Sequence, residues 1–389
     1  MYRLTPEQQA IADRAAALAD EKIAPFAAEV DEKGRFPSES MTALAEAGFW
    51  GLLIPEELGG MGQGPRTMVA VVDQIAQRCG STAMVFMMHL SGTATYLADP
   101  VRFATQLRAA AEGRHLSTLA FSEKGSRSHF WVPVSQAKRT SDPDVVTLSA
   151  EKSWVTSAGI ADGMVVSCQA AEGEGIEAGS AAVFVVMKSD PGVSVTGGWS
   201  SLGMRGNQSN PMTLQDVSLK LSERLIGEDG KGLDVMLGKS LPIFQLCQGA
   251  IGVGLCEAAF SATQGHLTGQ KFQYSGSSLA DLPNLRARLT DIRVRTDQAR
   301  AYLSAVVDKV ESGAADAVLY VLAAKISSGE SAVHTTDVAM RACGGAAFSK
   351  HLGLERVFRD ARAAVVMAPT TDALHDFVGR ALCGMPLFG

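Results

Sequence analysis

Apolar positions in the first part of the chain recur at helical spacing. Ile11, Ala15, Leu18 and Ile23 lie close to one face of a helix. The helix start is written just before them: Thr5 as cap, Pro6 at the first helical position, and Gln8 three residues after the cap. Gly59-Gly60-Met61-Gly62-Gln63-Gly64 reads as a loop. Apolar helical patterns resume over 68–79 and 82–98, so the chain reads as helical to about residue 116. The texture then changes. Val145 to Leu148, Gly163 to Val166, Ala182 to Val186 and Met212 to Gln215 are short β-prone runs separated by Gly, Asp, Asn and Ser. After Gly230-Lys231-Gly232 the helical period returns, over 250–267, 285–312, 314–342 and 371–383. This order predicts an α+β protein in three parts: an N-terminal helical domain (1–116), a central antiparallel β-barrel or sheet domain (117–230) and a C-terminal helical bundle (231–389).

Composition narrows the function classes. Of 389 residues 46% are hydrophobic and 20% charged, a well-buried globular composition. The net charge of −6 leaves no basic stripe for phosphate backbones, which excludes non-specific nucleic-acid binding. No uninterrupted apolar run approaches the length of a membrane span, and MYRLTPEQQ does not read as a signal peptide. Cys79, Cys168, Cys247, Cys256, Cys343 and Cys383 are scattered without metal-ligand spacing, so reduced, buried thiols of a cytoplasmic protein and no metal site are expected.

Several motifs in one order carry a family resemblance across nearly the whole chain. They are Ile54-Pro55-Glu56-Glu57-Leu58-Gly59-Gly60, Leu202-Gly203-Met204-Arg205-Gly206, Leu225 to Gly232, Gly344-Gly345, and Glu355-Arg356-Val357-Phe358-Arg359-Asp360-Ala361-Arg362. Together they resemble the acyl-CoA dehydrogenase family. The resemblance implies an FAD enzyme, with flavin between the β unit and a C-terminal four-helix bundle. It also implies a homotetramer or dimer, or a mixed tetramer with a related subunit, an acyl thioester of CoA or a carrier protein as substrate, and an electron-transfer flavoprotein as a possible partner.

Carried over residue by residue, the resemblance makes Trp154 the aromatic that packs on the flavin ring and Thr156 the residue bonding its N5 region. It places Ser122 at the pyrimidine end and Ser128 at the pyrophosphate. Phe121 to His129 matches the family's Thr-Glu-Pro-Gly-Ala-Gly-Ser-Asp loop, but Lys124, Arg127 and His129 stand for Pro, Gly and Asp, so the loop is unusually basic. The family's phosphate-binding Arg becomes Phe272 if read without a gap and Lys271 if one inserted residue is allowed, the second retaining a cation; Arg341, before Gly344-Gly345, offers another. Thr370 matches the threonine of the family's Glu-Gly-Thr.

That last match exposes the largest departure. The sequence reads Met367-Ala368-Pro369-Thr370, so Ala368 stands where the family carries the glutamate that takes the α-proton, and a methyl group accepts no proton. The alternative Glu-Arg location on an earlier helix reads Phe244-Gln245. Pro369 confines Ala368 to extended backbone, while the Ala368 N–H survives as a donor for a carbonyl oxygen. His89, in Met87-Met88-His89, is the remaining base candidate, since imidazole titrates in the useful range; a buried structural histidine is the commoner outcome. Met88, His89, Phe244, Gln245 and Ala368 are the expected substrate-pocket residues. Three readings compete: an oxidoreductase with non-standard thioester chemistry, a flavin monooxygenase of the same fold, and a non-catalytic subunit sharing an FAD site.

Overall fold

The computed structural model describes residues 1–126 and 129–386. Helix α1 (Pro6–Leu18) begins on Thr5, whose hydroxyl accepts from the Gln8 N–H while Gln8 Oε1 accepts from the Thr5 N–H. That reciprocal cap is the one the sequence predicts. Helices α2 (Ala24–Lys33), α3 (Ser38–Glu46), α4 (Pro65–Ala76), α5 (Gly80–Tyr96) and α6 (Ala104–Ala111) follow. Every residue of α5 is buried, so this helix is the centre of the N-terminal part.

Seven strands come next: β1 (Ser117–Ala120), β2 (Ala137–Arg139), β3 (Val145–Val155), β4 (Gly163–Gln169), β5 (Ala181–Met187), β6 (Val193–Val195) and β7 (Asn210–Lys220). They form two open sheets, ordered β1-β4-β5 and β2-β3-β7-β6, and no closed barrel. The expectation of a purely antiparallel unit is also corrected, because β1 runs parallel to β4. A parallel neighbour needs a crossover, and the chain between them supplies it by building β2 and β3 into the other sheet. Val146, Leu148, Val166, Phe184, Leu214 and Val217 fill the space between the sheets.

Short helices α7 (Leu221–Arg224) and α8 (Gly232–Val235) lead into three long ones: α9 (Leu241–Gly269), α10 (Pro283–Glu311) and α11 (Ala317–Cys343). Then α12 (Gly345–Phe348), α13 (Leu354–Ala361), α14 (Ala363–Val366) and α15 (Thr371–Leu382) close the chain, with α15 packed on α11 as the fourth bundle helix. The helical run Gly232–Gly269 is long and apolar enough to cross a membrane, although Asp234, Lys239 and Glu257 interrupt it. Its most apolar window is 72% buried inside the protein, which is how a core helix behaves. The cysteines are free thiols, five of them buried; Cys383, at the end of α15, is exposed, against expectation.

The Arg-Asp-Ala-Arg segment is a junction between the parts. Arg359 reaches back to Asp31 on α2 through two guanidinium nitrogens (2.8 and 2.5 Å). The neighbouring Asp360 is buried and accepts the Met204 N–H at 2.6 Å. Gly203 has to be glycine here, since a Cβ would stand 2.3 Å from the Arg359 carbonyl oxygen. One short helix thus fixes the N-terminal helices and the Leu202–Gly206 loop against the bundle. These contacts set the walls of the cavity between them.

Candidate active site

A cavity of about 780 Å³ lies where the three parts meet, within the roughly 300–1,000 Å³ of small-molecule sites. Its β wall carries Ser122, Trp154 and Thr156; its helical wall carries Ala363, Val366, Met367, Ala368 and Pro369. Leu241 and Phe244 at the start of α9 and Met88 on α5 close it.

Trp154 is aimed by a defect in the sheet. The β3–β7 register shifts between Lys152 and Val155, and Trp154 sits in that irregularity with φ +57°. A bulge re-aims a side chain out of the alternation, and this one delivers the indole to the cavity. Trp154 is 66% exposed and meets Trp199 edge-on at 5.7 Å. Trp199 is held in turn by a bond from its Nε1 to the Met204 carbonyl (3.0 Å). Thr156 is buried, with its hydroxyl 3.0 Å from that of Ser209. A large open aromatic face opposite the small side chains of Ala363 and Ala368 is a slot for a flat ring, so the residues present fit the isoalloxazine of FAD.

Other predicted positions fall outside this slot. Lys271, Arg341, Gly344 and Gly345 are exposed at the far ends of α9 and α11. Phe244 and Lys271 are separated by nearly the whole of α9, roughly 40 Å at about 1.5 Å per residue, so these groups do not reach the same chain's cavity. Ser128 lies outside the described residues. Thr370 caps α15, its hydroxyl accepting from the Ala373 N–H, and does not line the cavity.

His89 is not a base in this arrangement. It is fully buried and absent from the cavity wall; its Nε2 lies 2.9 Å from the Trp50 carbonyl oxygen, and its Nδ1 accepts from the Ser117 N–H at 3.1 Å. Both ring nitrogens are therefore engaged in a neutral tautomer, and burial pulls the imidazole down to about 4. Met88 does line the cavity, because adjacent helical residues point about 100° apart. The same rule separates Phe244, in the wall, from Gln245, which is fully buried behind it with no hydrogen-bond partner for its amide among the described residues.

Among the described residues that line the cavity, Glu123 is the single carboxylate. It is committed elsewhere: Lys152 Nζ lies 2.8 Å away, and the Val134 N–H, the Ser135 N–H and the Ser135 hydroxyl all donate to it. Burial opposes its charge, and the Lys152 ammonium outweighs that, holding the carboxyl below its usual range. Among the described residues no second carboxylate lines the cavity that Ala368 borders. Among the described residues, three cations line the same space. Lys124 comes from the basic loop, Arg359 is paired to Asp31, and Arg362 stacks over the Phe358 ring at 4.1 Å.

Sequence reasoning missed Lys325 on α11. This lysine is 1% exposed and donates to the Met367 and Pro369 carbonyl oxygens (2.7 and 2.5 Å), directly behind the Ala368 wall. Burial alone pulls its ammonium down to about 7. The available signal was a lone lysine inside Val321-Leu322-Ala323-Ala324-Lys325-Ile326. Gln248, one turn beyond Phe244, supports the same segment through Met367 Sδ at 2.8 Å.

Comparison with known proteins covers the whole architecture. Family models described as acyl-CoA dehydrogenase N-terminal, middle and C-terminal domains match residues 5–105, 118–217 and 230–383. Cyclohex-1-ene-1-carbonyl-CoA dehydrogenase of Geobacter metallireducens is 27% identical over 98% of this chain and 99% of its own. The structure of butyryl-CoA dehydrogenase from Megasphaera elsdenii superposes with a TM-score of 0.88 at 23% identity, covering 98% and 99% of the two chains. That of the prolyl acyl carrier protein oxidase AnaB does so at 0.85 and 20%, covering 97% and 99%.

Proposed function

Because the chain belongs to the acyl-CoA dehydrogenase family of FAD-dependent oxidoreductases, we propose that it acts on an acyl thioester without a side-chain base at the α-carbon. The observation that carries this reading is the cavity wall itself: Ala368 where a proton acceptor would stand, and Glu123, the one carboxylate in the lining, locked to Lys152. Bound FAD supplies the hydride acceptor or donor. Trp154, Thr156 and Ser122, which line the cavity together, would hold it, the indole by stacking and the two hydroxyls by hydrogen bonding. Met88, Phe244 and Met367 receive the acyl chain in an apolar space that excludes water. The Ala368 N–H receives the thioester carbonyl oxygen, so the polarising half of the usual site is kept and the proton-accepting half is not.

A carboxylate in the transition state contributes about 10²–10⁴ in rate, so its absence selects substrates whose α-carbon needs no side-chain base. The test is anaerobic mixing of the FAD-loaded protein with butyryl-CoA, followed by the flavin absorbance. The wild type is expected to bind, shifting the flavin spectrum without bleaching it, whereas Ala368→Glu bleaches. Equal bleaching by the wild type would refute the reading.

The remote placement of Lys271, Arg341, Gly344 and Gly345 supports a second element: they complete an FAD site on a neighbouring chain. A homotetramer or dimer with one FAD per chain is the expected assembly. A colourless purified protein that gains flavin only with a related subunit would instead make this chain the complementing member of a mixed tetramer. We assign reoxidation to an electron-transfer flavoprotein, to be tested by electron transfer to that partner.

A further inference from the structure

Lys325 is an expensive residue to bury. Removing an ammonium from water without a counter-ion costs several kcal/mol, and among the described residues no carboxylate pairs with Lys325. Its two acceptors are backbone carbonyls of one short segment, 367–369. What the lysine adds, whatever its charge, is one donor that reaches both carbonyls at once and ties Met367 and Pro369 to α11.

The peptide group fixes the consequence. The Met367–Ala368 peptide is trans, so its C=O and N–H point in opposite directions. Lys325, on the α11 side, draws the Met367 oxygen backwards; the Ala368 N–H therefore faces the other way, toward the cavity that Met367, Ala368 and Pro369 line. That N–H has no acceptor among the described residues, and Pro369 has no N–H to offer. A donor bonded to the carbonyl end polarises the whole amide and strengthens its N–H, the more so while the lysine holds its proton.

We propose that Lys325 is a positioning residue of the site: by gripping the Met367 and Pro369 carbonyls from behind, it presents the Ala368 N–H as a fixed, polarised donor to a ligand's carbonyl oxygen. This rests on the thioester reading above. It also explains how the wall keeps its shape after the loss of the carboxylate, since the grip involves only backbone atoms in front of the lysine.

The experiment compares FAD-loaded wild type with Lys325→Met, using butyryl-CoA carrying ¹³C at the thioester carbonyl and the thioether analogue that lacks the carbonyl. Infrared difference spectra report the bound carbonyl stretch, and flavin spectral titration gives Kd. In the wild type the stretch falls below its value in water, and the acyl-CoA binds about tenfold tighter than the thioether, the worth of one good hydrogen bond. In Lys325→Met the stretch moves back toward the water value and the preference for acyl-CoA disappears, while thioether binding is retained. A purely structural lysine would not move the carbonyl frequency. Should Lys325→Met fail to fold, Lys325→Gln, which keeps a neutral donor, carries the same comparison. Unchanged frequency and preference in either folded variant overturn the assignment alone, as does failure of both to fold, which would place Lys325 in the fold rather than the site. A wild type that binds neither probe overturns the thioester reading and this assignment with it.

Discussion

His89→Gln separates a buried structural imidazole from a catalytic one by the sign of a pH effect. Glutamine can donate to the Trp50 carbonyl and accept from the Ser117 N–H, the two bonds His89 makes, without titrating. In the folded protein the imidazole is pulled down to about 4, against roughly 6.5 when unfolded. The unfolded chain therefore binds the proton first. The stabilising contribution of neutral His89 is whole above about pH 6.5 and drains away as pH falls toward 4. The 2.5-unit gap corresponds to at most about 3.4 kcal/mol, of which about 2 kcal/mol is lost by pH 5. Urea unfolding of both proteins at about pH 7.5 and pH 5 measures it, because other titrating groups cancel in the difference. The wild type should lose about 2 kcal/mol more than the variant on acidification, and turnover or ligand binding at neutral pH should change little. Parallel pH profiles would refute the burial argument. A variant with wild-type stability and a 10²-fold or larger loss of rate would restore His89 as a base.

Other contacts give equally direct tests. Glu123→Gln leaves the Lys152 ammonium buried and unpaired, so stability should fall by about 3–5 kcal/mol, and Glu123→Gln with Lys152→Met should recover most of it in denaturant melts. Gly203→Ala drives a methyl into the Arg359 backbone and should cost about 1–3 kcal/mol with weakened FAD retention, read by flavin fluorescence on dilution. Asp360 titrates in the opposite sense to His89. Burial raises its carboxyl to about 6, so wild-type stability from this group grows as pH falls through 6 toward about 3.8, by up to about 3 kcal/mol. Asp360→Asn should abolish that rise in the same urea series.

How much of this was legible depended on whether the controlling interaction was local. The Thr5 cap and the long runs that became β3, β4, β5 and β7 were readable, because capping and alternation act over a few residues. Strands β1, β2 and β6 span only three or four residues, too short to show a period, and the parallel β1–β4 pair exists only through tertiary pairing. In the site, Trp154 and Ala368 were placed by motif. Met88 and His89, and likewise Phe244 and Gln245, read as pocket residues in pairs, yet the 100° step between neighbours turns one of each pair away from the cavity. Lys325 is missed for a different reason: despite its apolar flanks, a single lysine in a helix reads as a surface position until a partner segment covers it.

The supports of the Ala368 wall account for how the site holds its shape with only a methyl group at this position. Met367 is held by Lys325 through its backbone oxygen and by Gln248 through its sulfur, and Pro369 by Lys325 again. Upstream, Arg359 and Asp360 anchor α13 to Asp31 and to the Met204 N–H. None of these contacts uses the side chain at 368, which faces an open cavity rather than the core. Removing a carboxylate there therefore leaves no cavity in the packed interior, no orphaned partner and no uncompensated charge, the three routes by which buried substitutions become costly. On the proposed reading, a flavin slot and a carbonyl donor stand without a side-chain base at 368, because the contacts that hold this wall come from behind it.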